Sequence, residues 1–454
     1  MDPAFLASLS CPYCRGGLGV VERLGHDEDL HHAIVACPCY EYPLVDGILV
    51  LRQLSGPSDT IDEAVVALRD GDPDRARAWL QTRGSMVTPP AAARHRAADV
   101  IRRGARHAIG RVRRRLAPAE PVPTGEGTPL GRDLEAMRPG GFATYLYLRA
   151  ANPSFAAAVP LFTVLGAIGR APDRMPVVLD LGCGIGHSTA LLRALYPEWQ
   201  VVAAEPDFVN LQLLRRHFDR TAVCVCMDAE LPLPFADDTF EAVVCLDAFH
   251  YIRAKYALAR ELDRVVRPAG VWLLPHLHNA AASNVSPGIP LRAEDYLRVV
   301  GRPDAVLLDE SSVLERFARD RVVDLSAVRS GVPDAAAFSL VAGGGDRLWR
   351  VHQAAEALLS SPTTLGPNPI FRAEVAGDRL ELVREWPDPW LARECAQIEC
   401  YLPASTSIEL ALLDRLASGQ VAADDHERLL ELVSSFVLVH LPPGYRAAPP
   451  TGAG

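Results

Sequence analysis

Three glycines at alternate positions, Gly182, Gly184 and Gly186, follow the apolar run VVLDL (177–181), whose acid is Asp180. Without a Cβ, such residues let backbone amides approach a bound ligand closely. Glu205 ends a second apolar run, VVAAE (201–205), 19 residues beyond the loop, and Asp228 follows a third, AVCVCM (222–227). An acid closing the second strand can accept both hydroxyls of a ribose. The acid after the third strand can receive an adenine amino hydrogen. Together these types and spacings describe a nucleoside site. A second constellation lies near the N-terminus, where Cys11-Pro-Tyr-Cys14 is followed, 22 residues later, by Cys37-Pro-Cys39. Two knuckles of paired thiolates complete the tetrahedron of a structural zinc ion. A segment of about 50 residues is too small to be held by its own core, so a metal clip suits it. His26, His31 and His32 lie between the knuckles and read as solvated loop residues.

For the glycine loop and the acids to converge, strands and helices must alternate from Val177 onward. VVLDL, VVAAE, AVCVCM, AVVCL (242–246) and VWLLP (271–275) predict a parallel sheet covered on both faces. RVVDL (321–325) and AAFSLVA (336–342) are expected to add a final antiparallel pair. The chain has 454 residues, enough for about three folded units. With 49% hydrophobic and 22% charged residues it is not a wholly disordered or fibrous protein. The longest apolar stretch, 155–169, contains Pro160 and falls short of the roughly 20 residues a bilayer span requires, so no membrane helix is expected. The N-terminus lacks a basic start followed by an apolar core, which makes the cytoplasm the expected compartment. A formal net charge of −10 argues against a general nucleic-acid coat. Against that background nine arginines crowd between Arg94 and Arg115, either a solvated face or an RNA-binding patch.

On the motif DLGCGIG, with Glu205, Asp228 and the run DTFEAVVCLDAFHYI, residues 176–275 resemble the class I methyltransferases that use S-adenosylmethionine. The resemblance implies that Asp180 and Gly182, Gly184 and Gly186 face the methionine end of that cofactor. It places Glu205 at the ribose, Asp228 with Ala229 at the adenine, and Asp247 beside the methionine or the substrate. A dinucleotide dehydrogenase would show G-x-G-x-x-G, so NAD is the minor alternative. His250, three residues past Asp247, and His276 and His278, after the fifth strand, stand where open α/β sheets place their ligands, and are the candidate bases. The insertion that His276 opens is expected to form a lid with Tyr296. Cys183, Cys224, Cys226 and Cys245 read as small buried hydrophobes.

Residues 8–52 resemble the zinc-ribbon proteins that partner tRNA and protein methyltransferases, with Tyr42, Pro43, Asp46, Gly47 and Ile48 matching their Tyr-Pro-x-x-Asp-Gly-Ile run. The expected organisation is α/β: a zinc ribbon at 1–54, a helical, arginine-rich segment and linker at 55–140, a Rossmann-like seven-stranded methyltransferase domain at 141–345, and a C-terminal α+β accessory domain, winged-helix-like, at 346–454. The expected function is methyl transfer from S-adenosylmethionine to a biosynthetic small molecule or peptide, with Zn2+ in a structural role. Ribbon and C-terminal domain are the expected contacts for a protein partner. Two alternatives are an rRNA or tRNA methyltransferase served by the arginine cluster, and a non-catalytic cofactor-binding scaffold.

Overall fold

The computed structural model describes residues 1–25, 29–51, 59–83, 128–138, 141–168, 175–284, 288–326, 335–387 and 389–445. The arginine cluster at 94–115 lies outside the described residues. The N-terminal part contributes β1 (Gly19–Leu24), β2 (His32–Ala36), β3 (Glu41–Val45) and β4 (Ile48–Val50). The core follows with β5 (Val177–Leu181), β6 (Gln200–Glu205), β7 (Val223–Cys226), β8 (Phe240–Val244), β9 (Val266–His278) and β10 (Val306–Asp309). Next come β11 (Val323–Asp324), β12 (Ala337–Gly343) and β13 (Val351–His352). The C-terminal part holds β14 (Leu365–Pro367), β15 (Phe371–Ala376), β16 (Arg379–Arg384), β17 (Ser405–Glu409) and β18 (Leu438–His440).

Eleven strands form one sheet in the order β1-β2-β3-β4-β7-β6-β5-β8-β9-β12-β10. From β4 to β9 all neighbours are parallel, and β12 and β10 run antiparallel at the far edge. Parallel strands buried on both faces need near-continuous apolar sequence. VVLDL supplies it, and all five residues of β5 are buried. The order reverses at β5: the chain leaves toward β6 and β7, then returns to build β8 and β9 on the other side. Ligands of open α/β sheets bind in the crevice at that switch point.

The sheet does not stop at the end of the N-terminal part. Ile48, Leu49 and Val50 of β4 pair in parallel with Cys224, Val225 and Cys226 of β7. The β3–β4 turn is Asp46-Gly47, both with positive φ (55° and 72°), the backbone of a two-residue hairpin that Asp-Gly favours. Asp46 then accepts from Arg77 (2.6 and 2.7 Å) and from Gln212 (3.0 Å), which ties the turn to the helix Phe208–His217.

Several expectations change. The antiparallel edge strand is β10, not 321–325; β11 pairs instead with β13 in a separate two-stranded sheet. Strand five runs on to His278, so His276 and His278 lie inside it rather than after it. Tyr296 is fully buried, and its hydroxyl donates to the His278 carbonyl (2.9 Å): it braces the strand end and is not part of a lid. Cys400 is exposed, while Cys183, Cys224, Cys226, Cys245 and Cys395 are buried. In the C-terminal part β15, β16 and β17 form an antiparallel sheet, and the last strand, β18, pairs with β14. Its helices Leu410–Ser418 and His426–Ser434 pack against the core, where Phe436 meets Phe317 at 5.5 Å between ring centroids. Among the described residues no single helix is long and apolar enough to cross a membrane; one bent pair, Phe142–Ala151 and Pro153–Ala167, meets the length and composition test. Phe155, Leu161, Phe162 and Leu165 of that pair are buried in the core.

Candidate active site

The glycine loop is shaped by two demands. Gly182, Gly184 and Gly186 all have positive φ (73°, 54° and 103°), which favours glycine. A Cβ on Gly182 would meet Ala248 Cβ at 2.6 Å, and one on Gly186 would meet Leu214 Cγ at 2.5 Å. A Cβ on Gly184 would meet nothing within 4 Å. Two of the glycines therefore serve packing, and Gly184 alone borders open space.

Asp180 is buried, with Oδ2 accepting from Thr189 Oγ1 (2.6 Å) and Ser188 Oγ (2.7 Å). Its other oxygen, Oδ1, is buried without a hydrogen-bond partner. Burial pushes its carboxyl up to about 6 against the pull of the two hydroxyls. Glu205 closes β6; Oε2 accepts from the Gly184 amide (3.1 Å) and Oε1 from Asn210 Nδ2 (3.1 Å). Burial, joined by the nearby Asp207 charge, raises Glu205 to about 7. Asn210 is itself held by Arg138 (3.2 Å), which also pairs with Asp207, the N-cap of the helix behind Glu205. Asp228 and Ala229 are half-buried after β7, and Asp228 Oδ1 accepts from the Glu230 amide (2.9 Å).

Across the switch point stands a second group. Asp247, just past β8, has φ +53°, and its amide donates to the Pro275 carbonyl (3.0 Å). Asp247 Oδ2 pairs with Arg149 Nη2 (2.9 Å) and accepts from Ser154 Oγ (3.2 Å). Its Oδ1 faces His250 Nε2 (3.7 Å) and His276 Nε2 (4.0 Å). Burial opposes ionisation there, but Arg149 and the histidines hold Asp247 below the usual carboxylate range. His276 also has positive φ (58°), at a bulge where the β9–β12 register shifts between Phe338 and Leu340. A bulge re-aims the side chain it carries. His276 Nδ1 meets Glu310 Oε2 at 2.8 Å, and its Nε2 lies 3.0 Å from His278 Nε2. Burial lowers the proton affinity of His276, yet Glu310 and Asp247 outweigh it and raise it above the ordinary value. The His250 ring stacks on His278 at 3.9 Å, is fully buried, and is driven down to about 3 by burial. Neither of its ring nitrogens has a hydrogen-bond partner.

The structure thus brings Asp247, His250, His276 and His278 together on the side of the crevice away from Glu205. Arg138, Arg149, Ser154 and Glu310 were not read from the sequence. The arginines and Ser154 come from helical turns ahead of β5, and Glu310 from the start of the helix Glu310–Asp320. A lone charge in an apolar helical run, as Arg149 is, was the available signal.

In the N-terminal part the sulfurs of Cys11, Cys14, Cys37 and Cys39 lie within 4.8 Å of one another. Cys37 and Cys39 Sγ are 3.3 Å apart, and Cys11 and Cys39 Sγ 4.0 Å. Four thiolates at about 2.3 Å from a tetrahedral zinc stand about 3.8 Å apart, so the donor set fits that ion. Tyr42 is buried beneath it with its hydroxyl 3.1 Å from Cys11 Sγ. Among the described residues, no histidine joins this cluster.

The family described as "Methyltransferase domain" matches residues 179–274. This stretch, from β5 through most of β9, thus carries a methyltransferase domain. Among known proteins the chain is similar to a malonyl-[acyl-carrier protein] O-methyltransferase of Laribacter hongkongensis, 36% identical over 125 residues, covering 25% of this chain and 41% of the relative. It is similar also to the O-methyltransferase cnsE of Penicillium expansum, 23% identical over 225 residues, covering 48% of this chain and 79% of the relative. A solved structure of a TehB-like S-adenosylmethionine-dependent methyltransferase from Corynebacterium glutamicum covers 40% of this chain and 86% of that one, at 13% identity and a TM-score of 0.29. The chain thus spans well under half the length of the first of these relatives.

Proposed function

We propose that the protein transfers a methyl group from S-adenosylmethionine to a biosynthetic small molecule or a peptide, in the cytoplasm. The observation that carries this reading is the pairing, at one switch point, of open space beside Gly184 with the orphaned, buried Oδ1 of Asp180. A buried acceptor without a partner is costly, and a cofactor ammonium would satisfy it. In this reading the Gly184 backbone flanks the methionine end, Glu205 accepts the ribose hydroxyls, and Asp228 with Ala229 borders the adenine. When bound, the cofactor supplies an electrophilic methyl group on a sulfonium. The protein aligns the acceptor with it and excludes water. Asp247, His250, His276 and His278 line the acceptor side. Glu310 behind His276 keeps Nδ1 engaged, which leaves Nε2 facing His278 Nε2 (3.0 Å) and Asp247 Oδ1 (4.0 Å).

Oxygen is the accepting atom in this reading, because the two relatives described above are named O-methyltransferases. Zn2+ held by Cys11, Cys14, Cys37 and Cys39 supports the N-terminal strands, and the free thiols suit a reducing compartment. Incubation with methyl-labelled cofactor tests the reading. Label is expected in a small-molecule or peptide fraction of a metabolite extract. Label in RNA alone would transfer the assignment to nucleic acid, and retained cofactor with no product would leave a binding scaffold.

A further inference from the structure

We propose that Asp247, His276 and His278 bind a divalent first-row transition-metal ion beside the methyl-donor site, in addition to the N-terminal cysteine cluster. The ligand atoms of these three side chains lie within 4.8 Å of one another. The two imidazole Nε2 atoms are 3.0 Å apart. Nitrogens bound at about 2.1 Å to one cation stand about 3.0 to 3.4 Å apart in octahedral or tetrahedral geometry. Asp247 Oδ1 is 4.0 Å from His276 Nε2, within a small rotation of closing the third position.

The outer contacts are those of ligands already aimed. Metal-bound histidines commonly give their second nitrogen to a carboxylate, which fixes the ring and its tautomer. His276 does so with Glu310, itself fixed by Ser339 Oγ (3.1 Å). Asp247 is turned by Arg149 and Ser154, which take Oδ2 and leave Oδ1 toward the histidines. Both Asp247 and His276 hold left-handed backbone, which persists only where the surroundings enforce it. His250, stacked on His278 with both nitrogens buried and unpartnered, is an orphan that a metal-bound water or acceptor atom would satisfy.

Charge narrows the acceptor. The carboxylates of Asp247 and Glu310 are matched by the Arg149 guanidinium and by Lys255, whose ammonium donates to the His250 carbonyl (3.1 Å). A dication then makes the pocket positive, which an acceptor oxyanion offsets. Two imidazoles and one carboxylate suit Zn2+, Mn2+, Fe2+ or Co2+. The acceptor is then a carboxylate, phenolate or enolate whose oxygen occupies an open coordination position. That last step rests on the methyltransferase reading; metal binding does not.

The test is a titration of Mn2+, followed by electron paramagnetic resonance, into the full-length protein carrying one zinc per chain in the thiolate cluster, with metal at the Asp247 site first removed by dialysis. Mn2+ prefers nitrogen and oxygen donors, so a zinc-filled thiolate cluster does not compete. One equivalent is expected to bind in the wild type and in Cys14→Ser, and affinity is expected to fall at least 100-fold in His278→Ala and in the conservative His278→Gln. S-adenosylhomocysteine binding in the same samples reports whether each variant keeps its fold. No Mn2+ binding by the wild type, or binding unchanged in folded His278→Gln, overturns the proposal and leaves His276 and His278 as a hydrogen-bonded pair. Mn2+ bound without S-adenosylhomocysteine binding would sink the methyltransferase reading while the metal site stands.

Discussion

Replacing Glu205 with Gln separates what a cofactor carboxylate does for binding from what it costs the fold. Burial and Asp207 lift Glu205 from 4.5 to about 7, so the native state holds a proton between those values that the unfolded chain has released. The neutral form's contribution to stability is therefore full below about pH 4.5 and is lost as pH rises through about 7. At about 1.4 kcal/mol per tenfold change in proton affinity, the ionised group costs about 3 kcal/mol at pH 8. Gln carries no charge, but its single carbonyl oxygen can accept from only one of Gly184 and Asn210, a loss of about 1 kcal/mol. Glu205→Gln is thus expected to be about 2 kcal/mol more stable than the wild type at pH 8, with the advantage gone at pH 5. Urea unfolding at both values, without ligand, reads this directly. The same variant loses a charged acceptor for two ribose hydroxyls, so S-adenosylhomocysteine affinity should fall on the order of 100-fold. A variant destabilised at pH 8, or one that binds the ligand as well as the wild type, would refute the reasoning.

The glycines should separate in the same assays. Gly184→Val is expected to remove S-adenosylhomocysteine binding by filling open space, whereas Gly186→Ala, its Cβ driven against Leu214, should lose about 1 to 3 kcal/mol of stability first. Arg149→Met leaves a buried carboxylate at Asp247 without its main counter-charge, which should slow methyl transfer on the order of 100-fold while S-adenosylhomocysteine still binds. About one zinc per chain is expected by elemental analysis, falling in Cys14→Ser; a metal-free, fully folded chain would contradict that. Because β4 lies on the β7 edge, Ile48→Asp should speed hydrogen exchange at residues 223–226, and unchanged protection there would show that the two parts fold independently.

Local chemistry made part of this molecule readable. The glycine loop and the acids at the ends of β6 and β7 announce themselves because each follows an apolar strand whose composition is fixed by burial on both faces. The four cysteines do so because paired spacing has few other uses. What escaped was set by long-range contact. Nothing local distinguishes 321–325 from Val306–Asp309 as the edge strand, since both are short apolar runs and only packing against β12 decides. The parallel seam between β4 and β7 joins segments over 170 residues apart, and an edge pairing of this kind leaves no mark on either sequence. Arg149 and Glu310 belong to the acceptor side by tertiary approach alone. The bulge at His276 has a local mark in Pro275, which has no N–H to give the ladder, but the direction in which it sends the His276 ring depends on the register with β12.

The most direct measurement is calorimetric titration of S-adenosylhomocysteine into the full-length protein. Saturable heat with one site per chain, abolished in a folded Gly184→Val variant, is the expected result. No heat with either S-adenosylhomocysteine or S-adenosylmethionine, from protein shown to be folded, would contradict a nucleoside site at the carboxyl edge of the central sheet.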